Sequence, residues 1–305
     1  MLTIKQFILN HSITRELFFF FFHKKANKQR LNKKIDNFIL STTTPIDEKL
    51  VVSLTSFPAR IEEVQYTVYS MLTQSIIPQK IILWLAEEQF KNKELDLPER
   101  LLSLRNNIFE IRWCTDLRSY KKLVPAIKEF AGKNIVICDD DIFYRKHTLK
   151  KLLECHNEHP NDVICHIGQE ICFSDDKQLL PYTNWKPVKQ CFQSKNVLPI
   201  GGGTVLYPST ILQKSPLLLR KDLFKEIAFY ADDIWFWFSV ISAGFAISIP
   251  RGSYKSMIYV NPEREYGISN EMTLAKINVG KDMNDQQLKQ LEKYLGKTIW
   301  QFLHK

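Results

Sequence analysis

Between residues 50 and 157 the sequence alternates short apolar, β-branched runs with stretches of helical periodicity, and this alternation leaves the chain few folds to choose from. Leu-Val-Val-Ser-Leu-Thr at 50–55 reads as a first strand, the turn residues Ser56, Phe57 and Pro58 follow, and an amphipathic helix is expected over 61–73. A second strand falls at 80–85 and a charged loop with Glu87, Glu88 and Pro98 comes next. A short helix near 100–104, a strand at 109–113 and a helix over 121–130 complete the repeat, with Pro125 tolerable only near that helix's start. A fourth strand and a helix over 148–157 close the half. Strand, helix, strand with right-handed crossovers predicts an α/β fold with a mostly parallel central sheet flanked by helices, whose post-strand loops share one rim. Beyond Val163 the apolar runs shorten and are broken by Asn, Pro and Gly, which predicts a smaller antiparallel region with long substrate loops. Residues 284–294 carry helically spaced leucines. The division expected is an N-terminal extension over 1–46, a main domain over 47–262 and a C-terminal helical appendage over 263–305.

The fourth strand is the most chemical segment. Residues 134–141 read Asn-Ile-Val-Ile-Cys-Asp-Asp-Asp, an apolar run that ends in three carboxylates at the rim where ligands bind in parallel sheets. Three adjacent carboxylates repel one another unless water, cations or a metal neutralise them. On an extended backbone Asp139 and Asp141 would share a face, and such a pair of hard oxygen donors suits Mg²⁺ or Mn²⁺ bound together with substrate phosphates. The alternative is a solvated acidic loop.

The chain has 305 residues, 45% of them hydrophobic, enough for a sizeable core. Its six cysteines, at 114, 138, 155, 165, 172 and 191, lack paired spacing and fit reduced thiols in a cytosolic protein. Cys155, His156, His159, Cys165 and His166 lack the Cys-x-x-Cys spacing of structural zinc sites. Net charge is +9, much of it in Lys24, Lys25, Lys28, Arg30, Lys33 and Lys34, beside Leu17 and the phenylalanines Phe18 to Phe22. That apolar run is too short to span a bilayer and no small-residue cleavage site follows it. Residues 17–34 suit either an anchor on an anionic cytoplasmic membrane face or a helix packed on the main domain. Nucleic acid is not an expected partner, since no recognition motif accompanies the charge.

Three segments in order, Asp139-Asp-Asp141, Gly201-Gly-Gly203 within Ile-Gly-Gly-Gly-Thr-Val-Leu-Tyr, and Ala231-Asp-Asp-Ile-Trp-Phe, resemble bacterial GT-A-fold glycosyltransferases of the family 2 type. Their order and spacing are also similar to inverting β-1,3-galactosyltransferase-like enzymes. The resemblance covers roughly residues 48–262. It implies a nucleotide-diphospho-sugar transferase fold and metal-dependent, inverting transfer from a nucleotide sugar, with UDP as the carrier. The acceptor implied is a cell-surface glycan or lipid-linked oligosaccharide. Asp139 and Asp141 would hold Mn²⁺ or Mg²⁺ against the leaving diphosphate, with Asp140 turned away toward the ribose or a structural partner. Thr55, Ser56, Phe57 and Arg60 after the first strand, and Asp116 after the third, would contact the nucleotide. Lys121 and Lys122 would neutralise phosphate or hold the aspartates, unless they form a solvated helix end.

The three glycines, Gly201, Gly202 and Gly203, permit close approach, with the sugar ring as the expected visitor, or else form a bulged strand or tight turn. Asp233 matches the family's catalytic base, and Asp232 is its neighbour or a helix N-cap; the helix dipole would keep both ionised. Trp235 is core or stacks on the acceptor sugar. The family often places a histidine metal ligand late in the domain, whereas here no histidine occurs between His166 and His304. A retaining transferase of the same fold and a non-enzymatic basic module that binds membrane or nucleic acid stay open. A nucleotidyltransferase is disfavoured by Leu54-Thr-Ser-Phe-Pro58, where a glycine-rich phosphate loop would stand.

Overall fold

A computed structural model describes residues 27–252, 257–265, 278, 280 and 282–304. The expected phenylalanine anchor lies outside them. The described chain runs α1 (Lys28–Asp36), β1 (Ile46–Thr55), α2 (Ile61–Leu72), β2 (Ile77–Ala86), α3 (Glu99–Ser103), β3 (Phe109–Cys114), α4 (Val124–Glu129), β4 (Asn134–Ile137), β5 (Ile142–Tyr144) and α5 (Thr148–Glu158). It continues β6 (Val163–Cys165), β7 (Gly168–Glu170), β8 (Lys186–Val188), β9 (Cys191–Ser194), β10 (Val197–Pro199), β11 (Val205–Tyr207), α6 (Ile211–Lys214), α7 (Lys221–Ile227) and α8 (Asp232–Ser242). It ends β12 (Ile247–Ile249), β13 (Met257–Tyr259), α9 (Pro262–Glu265), α10 (Met283–Leu295) and α11 (Ile299–Leu303).

Among the described residues eight strands form one sheet in the order β3-β2-β1-β4-β11-β6-β12-β9. Its first four strands are parallel, as the sequence repeat predicts, with Val52 opposite Ile81 on one side and Val136 on the other. β11 is antiparallel to both β4 and β6, β12 is parallel to β6, and β9 is antiparallel to β12. The antiparallel region is real and small: β10-β7-β8 form one sheet and β13-β5 a second.

Helices cover both faces, so β1 is buried without interruption from Leu50 to Leu54. Successive β1 residues point to opposite faces: Val51 joins one core with Ile135, Ile137 and the aromatic residues of α8, while Leu50, Val52 and Leu54 join the other with Val64, Val68 and Met71 of α2. Leu288 and Leu291 of α10 and Ile299 of α11 are buried in the first of these cores. Leu31 and Ile35 of α1 are buried in the second. Among the described residues α1, α10 and α11 therefore pack into the two cores of the sheet.

Two local departures matter for the site. The helix expected over 121–130 begins as a 3₁₀ turn, Arg118–Lys122, entered by Arg118 at φ +54°, and Pro125 falls in the first turn of α4. That turn buries Lys121 and Lys122, so they are not a solvated helix end. β4 stops at Ile137, and Asp140 and Asp141 lie in a turn before β5. The alternation that would set Asp139 and Asp141 on one face does not hold there.

Candidate functional site

The triple aspartate is split between two sets of cations. Asp140 accepts a hydrogen bond from the Ser56 hydroxyl at 2.6 Å and one from Arg60 Nη1 at 3.1 Å. The same Nη1 is 3.0 Å from Asp141 Oδ2. Arg264 of α9 reaches Asp141 at 3.5 Å and Glu63 at 2.5 Å, and Glu63 also pairs with Lys28 at 2.7 Å. Asp139 turns instead to Lys122, whose Nζ donates to its Oδ1 at 3.0 Å. Asp140 thus finds the structural partner foreseen for it, but in company with Asp141; Asp139 is the carboxylate that stands apart.

Lys122 Nζ is also 3.0 Å from Asp232 Oδ2, so one ammonium pairs with both acidic segments. Asp232 and Asp233 are the first two residues of α8, whose N-cap is Ala231, so Asp232 is not a cap. Asp233 Oδ1 accepts the Gly201 N–H at 3.1 Å. A Cβ on Gly201 would lie 2.7 Å from Lys122 Nζ and 3.0 Å from Asp233 Oδ1, and one on Gly202 would lie 3.0 Å from Asp139 Oδ2. These glycines, set in the 3₁₀ turn Gly201–Gly203, are not at positive φ; they admit the protein's own charged side chains, the place where a sugar ring was expected. The residue with positive φ is Thr204, at +75°, β-branched and strained there, with a buried hydroxyl that has no partner among the described residues. Tyr144 ties the two segments together: its hydroxyl donates to Gly202 O at 2.8 Å and accepts the Asp139 N–H at 3.1 Å.

The electrostatics follow from crowding. Burial and the neighbouring carboxylates Asp140 and Asp139 push Asp141 up to about 7, although Arg60 and Arg264 pull the other way. Burial raises Asp140 against the pull of Arg60 and Ser56. Desolvation by the surrounding protein, then repulsion from Asp232, pushes Asp233 up to about 7 against Lys122 and the Gly201 amide. Burial and the Asp232 charge thus act on Asp233 against the direction in which the helix dipole works. For Lys122 burial works to lower the ammonium, and the pull of Asp139, Asp232 and Asp233 overcomes it, so the lysine stays charged.

The five carboxylates Asp139, Asp140, Asp141, Asp232 and Asp233 face three cations, Arg60, Lys122 and Arg264, among the described residues. Adding Glu63 and Lys28 leaves the carboxylates in excess of the cations by two.

Other sequence candidates sit around this centre. Phe57 is 40% exposed beneath the Arg60 guanidinium, 5.6 Å from its ring. The Thr55 hydroxyl donates to Trp84 O at 2.8 Å, tying β1 to β2. Asp116 accepts from Lys121 Nζ at 2.6 Å and from the Arg118 N–H at 2.7 Å, and these bonds outweigh its partial burial to hold it below the usual carboxylate range. Lys121 therefore holds Asp116, while Lys122 serves the aspartates. Trp235 is fully buried against Phe224 and Phe238, so it is core and cannot stack on an acceptor. Tyr144, Glu63 and Arg264 were not foreseen. Tyr144 lies three residues beyond Asp141 and could have been suspected, whereas nothing local marks Arg264.

No family model and no curated protein sequence matches the chain. Among solved structures it is similar to 4-diphosphocytidyl-2C-methyl-D-erythritol synthase from Anaerococcus prevotii DSM 20548, at 11% identity and a TM-score of 0.46, covering 72% of this chain and 94% of that one. It is similar to S. aureus TarS 1–349 in complex with UDP, at 16% identity and a TM-score of 0.45, covering 81% and 72%. Against a longer S. aureus TarS chain the identity is 15% and the TM-score 0.45, over 82% of this chain and only 44% of that one. A third similar structure is UDP-glucose pyrophosphorylase complexed with UDP-glucose, at 10% identity and a TM-score of 0.42, covering 67% and 90%.

Proposed function

We propose that the chain is an inverting GT-A-type glycosyltransferase that moves a sugar from a nucleotide-sugar donor to a glycan or lipid-linked acceptor, with Asp233 as the base. The observation that carries this reading is the junction of the strand-end aspartate Asp139 with the acid pair Asp232 and Asp233, through Lys122 and the glycine turn. Direct displacement needs two things close together. One is a charge-bearing place for the departing diphosphate, and the other is a carboxylate that takes the acceptor hydroxyl's proton. A carboxyl raised toward neutrality by its surroundings is suited to the second task, because it holds a proton more firmly than an ordinary aspartate. As the acceptor oxygen attacks the anomeric carbon, its proton passes to Asp233 and the carbon–oxygen bond to the diphosphate breaks. Arg60 and Arg264 are the side chains on hand to meet that leaving charge.

The donor chemistry of the site fits a divalent cation. Its carboxylates are hard oxygen ligands, they outnumber the protein's own cations by two, and the Asp139 side chain is 37% exposed. Among the described residues no group of three ligand side chains converges, so Asp139 would hold Mn²⁺ or Mg²⁺ together with substrate phosphate and water, and Asp141, turned to Arg60 and Arg264, would join it only as those cations meet the phosphates. Bound there, the metal would act as a Lewis acid on the diphosphate. UDP as the carrier rests on the motif resemblance.

The test is product analysis with a panel of nucleotide sugars and glycan acceptors. Release of nucleoside diphosphate with an inverted anomeric centre supports the proposal. Retention of configuration would reassign Asp233, and pyrophosphate release from a nucleoside triphosphate and a sugar phosphate would replace the reading with nucleotidyl transfer.

A further inference from the structure

Lys122 is the point where the two acidic segments meet. Its side chain is 7% exposed, its Nζ hydrogen-bonds Asp139 after β4, and the same Nζ is 3.0 Å from Asp232 Oδ2 at the start of α8. The missing side chain of Gly201 leaves the space for this geometry, since a Cβ there would lie 2.7 Å from the ammonium. One ammonium cannot fully compensate carboxylates on two elements, so whatever engages one of them changes the charge left for the other. We propose that Lys122 is a positioning residue that couples occupancy of Asp139 to the Asp232–Asp233 pair: a donor cation that takes Asp139 leaves Lys122 to the acid pair that receives the acceptor. This inference rests on the donor reading of the site.

The experiment measures binding of UDP with Mg²⁺ by calorimetry to the wild type, Asp232→Asn, Lys122→Met and the double variant. With Asp232 neutralised, Lys122 has Asp139 to itself and competes with the incoming cation. Asp232→Asn should therefore weaken binding about tenfold when Lys122 is present, and less than about threefold in the Lys122→Met background. Equal weakening in both backgrounds overturns the coupling and leaves the donor site standing. Absence of binding to the wild type overturns both. If Lys122→Met does not fold, Gly201→Ala supplies the second background, because its methyl displaces the ammonium.

Discussion

The Asp233 carboxylate accepts the backbone N–H of Gly201 at 3.1 Å, so the start of α8 and the glycine turn before β11 are fixed to each other at the point where Lys122 also arrives. This contact turns two weak motifs, a glycine run and an acidic pair, into one site.

Asp233→Asn keeps the shape and removes the base. Transfer should fall by about 10²–10⁴-fold while nucleoside diphosphate affinity stays within about threefold. Steady-state transfer and calorimetric binding on the same preparation check this, and a variant with ordinary turnover removes Asp233 from the mechanism.

Stability should also respond to pH. Asp141 and Asp233 are raised from 3.8 to about 7 in the folded protein, so between about pH 4 and 7 the fold binds more protons than the unfolded chain. Their contribution is complete below pH 4 and is lost as pH rises through 7. Melting curves should show a shallower loss of stability over this window in Asp233→Asn than in the wild type. Mg²⁺ should stabilise the wild type more at pH 8, where the excess carboxylates are ionised, than at pH 5. Identical slopes for the two proteins would mean that Asp233 is not raised.

Neighbouring glycines should separate binding from folding. A Cβ at Gly202 meets the mobile end of Asp139, at 3.0 Å from Oδ2, whereas one at Gly203 meets Ile167 Cβ at 2.7 Å and its backbone nitrogen at 3.0 Å. Gly203→Ala should therefore cost about 1–3 kcal/mol of stability by overpacking. Gly202→Ala should fold normally and lose nucleotide affinity. Denaturant titration and calorimetry distinguish the two, and the reverse pattern would contradict the assigned contacts.

The basic N-terminal region gives a separate prediction. Lys33 and Lys34 are exposed on α1, next to the sequence that carries the phenylalanines. The full chain should bind vesicles containing anionic phospholipid and not neutral ones, and replacing both lysines with alanine should weaken binding by about tenfold or more. Equal binding to neutral and anionic vesicles contradicts this role. Among the described residues no helix is long and apolar enough to cross a membrane.

The first half of the fold could be read from the sequence because strands buried on both faces are uninterrupted apolar runs and helices with one buried face are periodic. β1 to β4 fall within a few residues of expectation. The site was legible as residue types and less so as directions. Strand alternation was extended past Ile137 into a turn, and that misplaced Asp139 relative to Asp140 and Asp141. Lys121 and Lys122 read equally as partners of phosphate or the aspartates and as a solvated helix end, because the positive-φ turn at Arg118 that buries them leaves no glycine to announce it. Trp235 reads as core with stacking on a sugar as the alternative, and its packing on Phe224 and Phe238 decides for core. Arg264 reaches Asp141 across 123 residues, a contact only tertiary structure creates.

In the proposed transferase the triple aspartate and its cations receive a nucleoside diphosphate. The most direct measurement is the melting temperature of the purified protein with UDP, GDP and CMP, each with and without Mn²⁺, alongside Asp141→Ala. A ligand that binds the folded state alone raises its apparent stability. The account predicts stabilisation by UDP that requires both Mn²⁺ and Asp141. No shift with any nucleotide and metal, or a shift that survives Asp141→Ala unchanged, would contradict it.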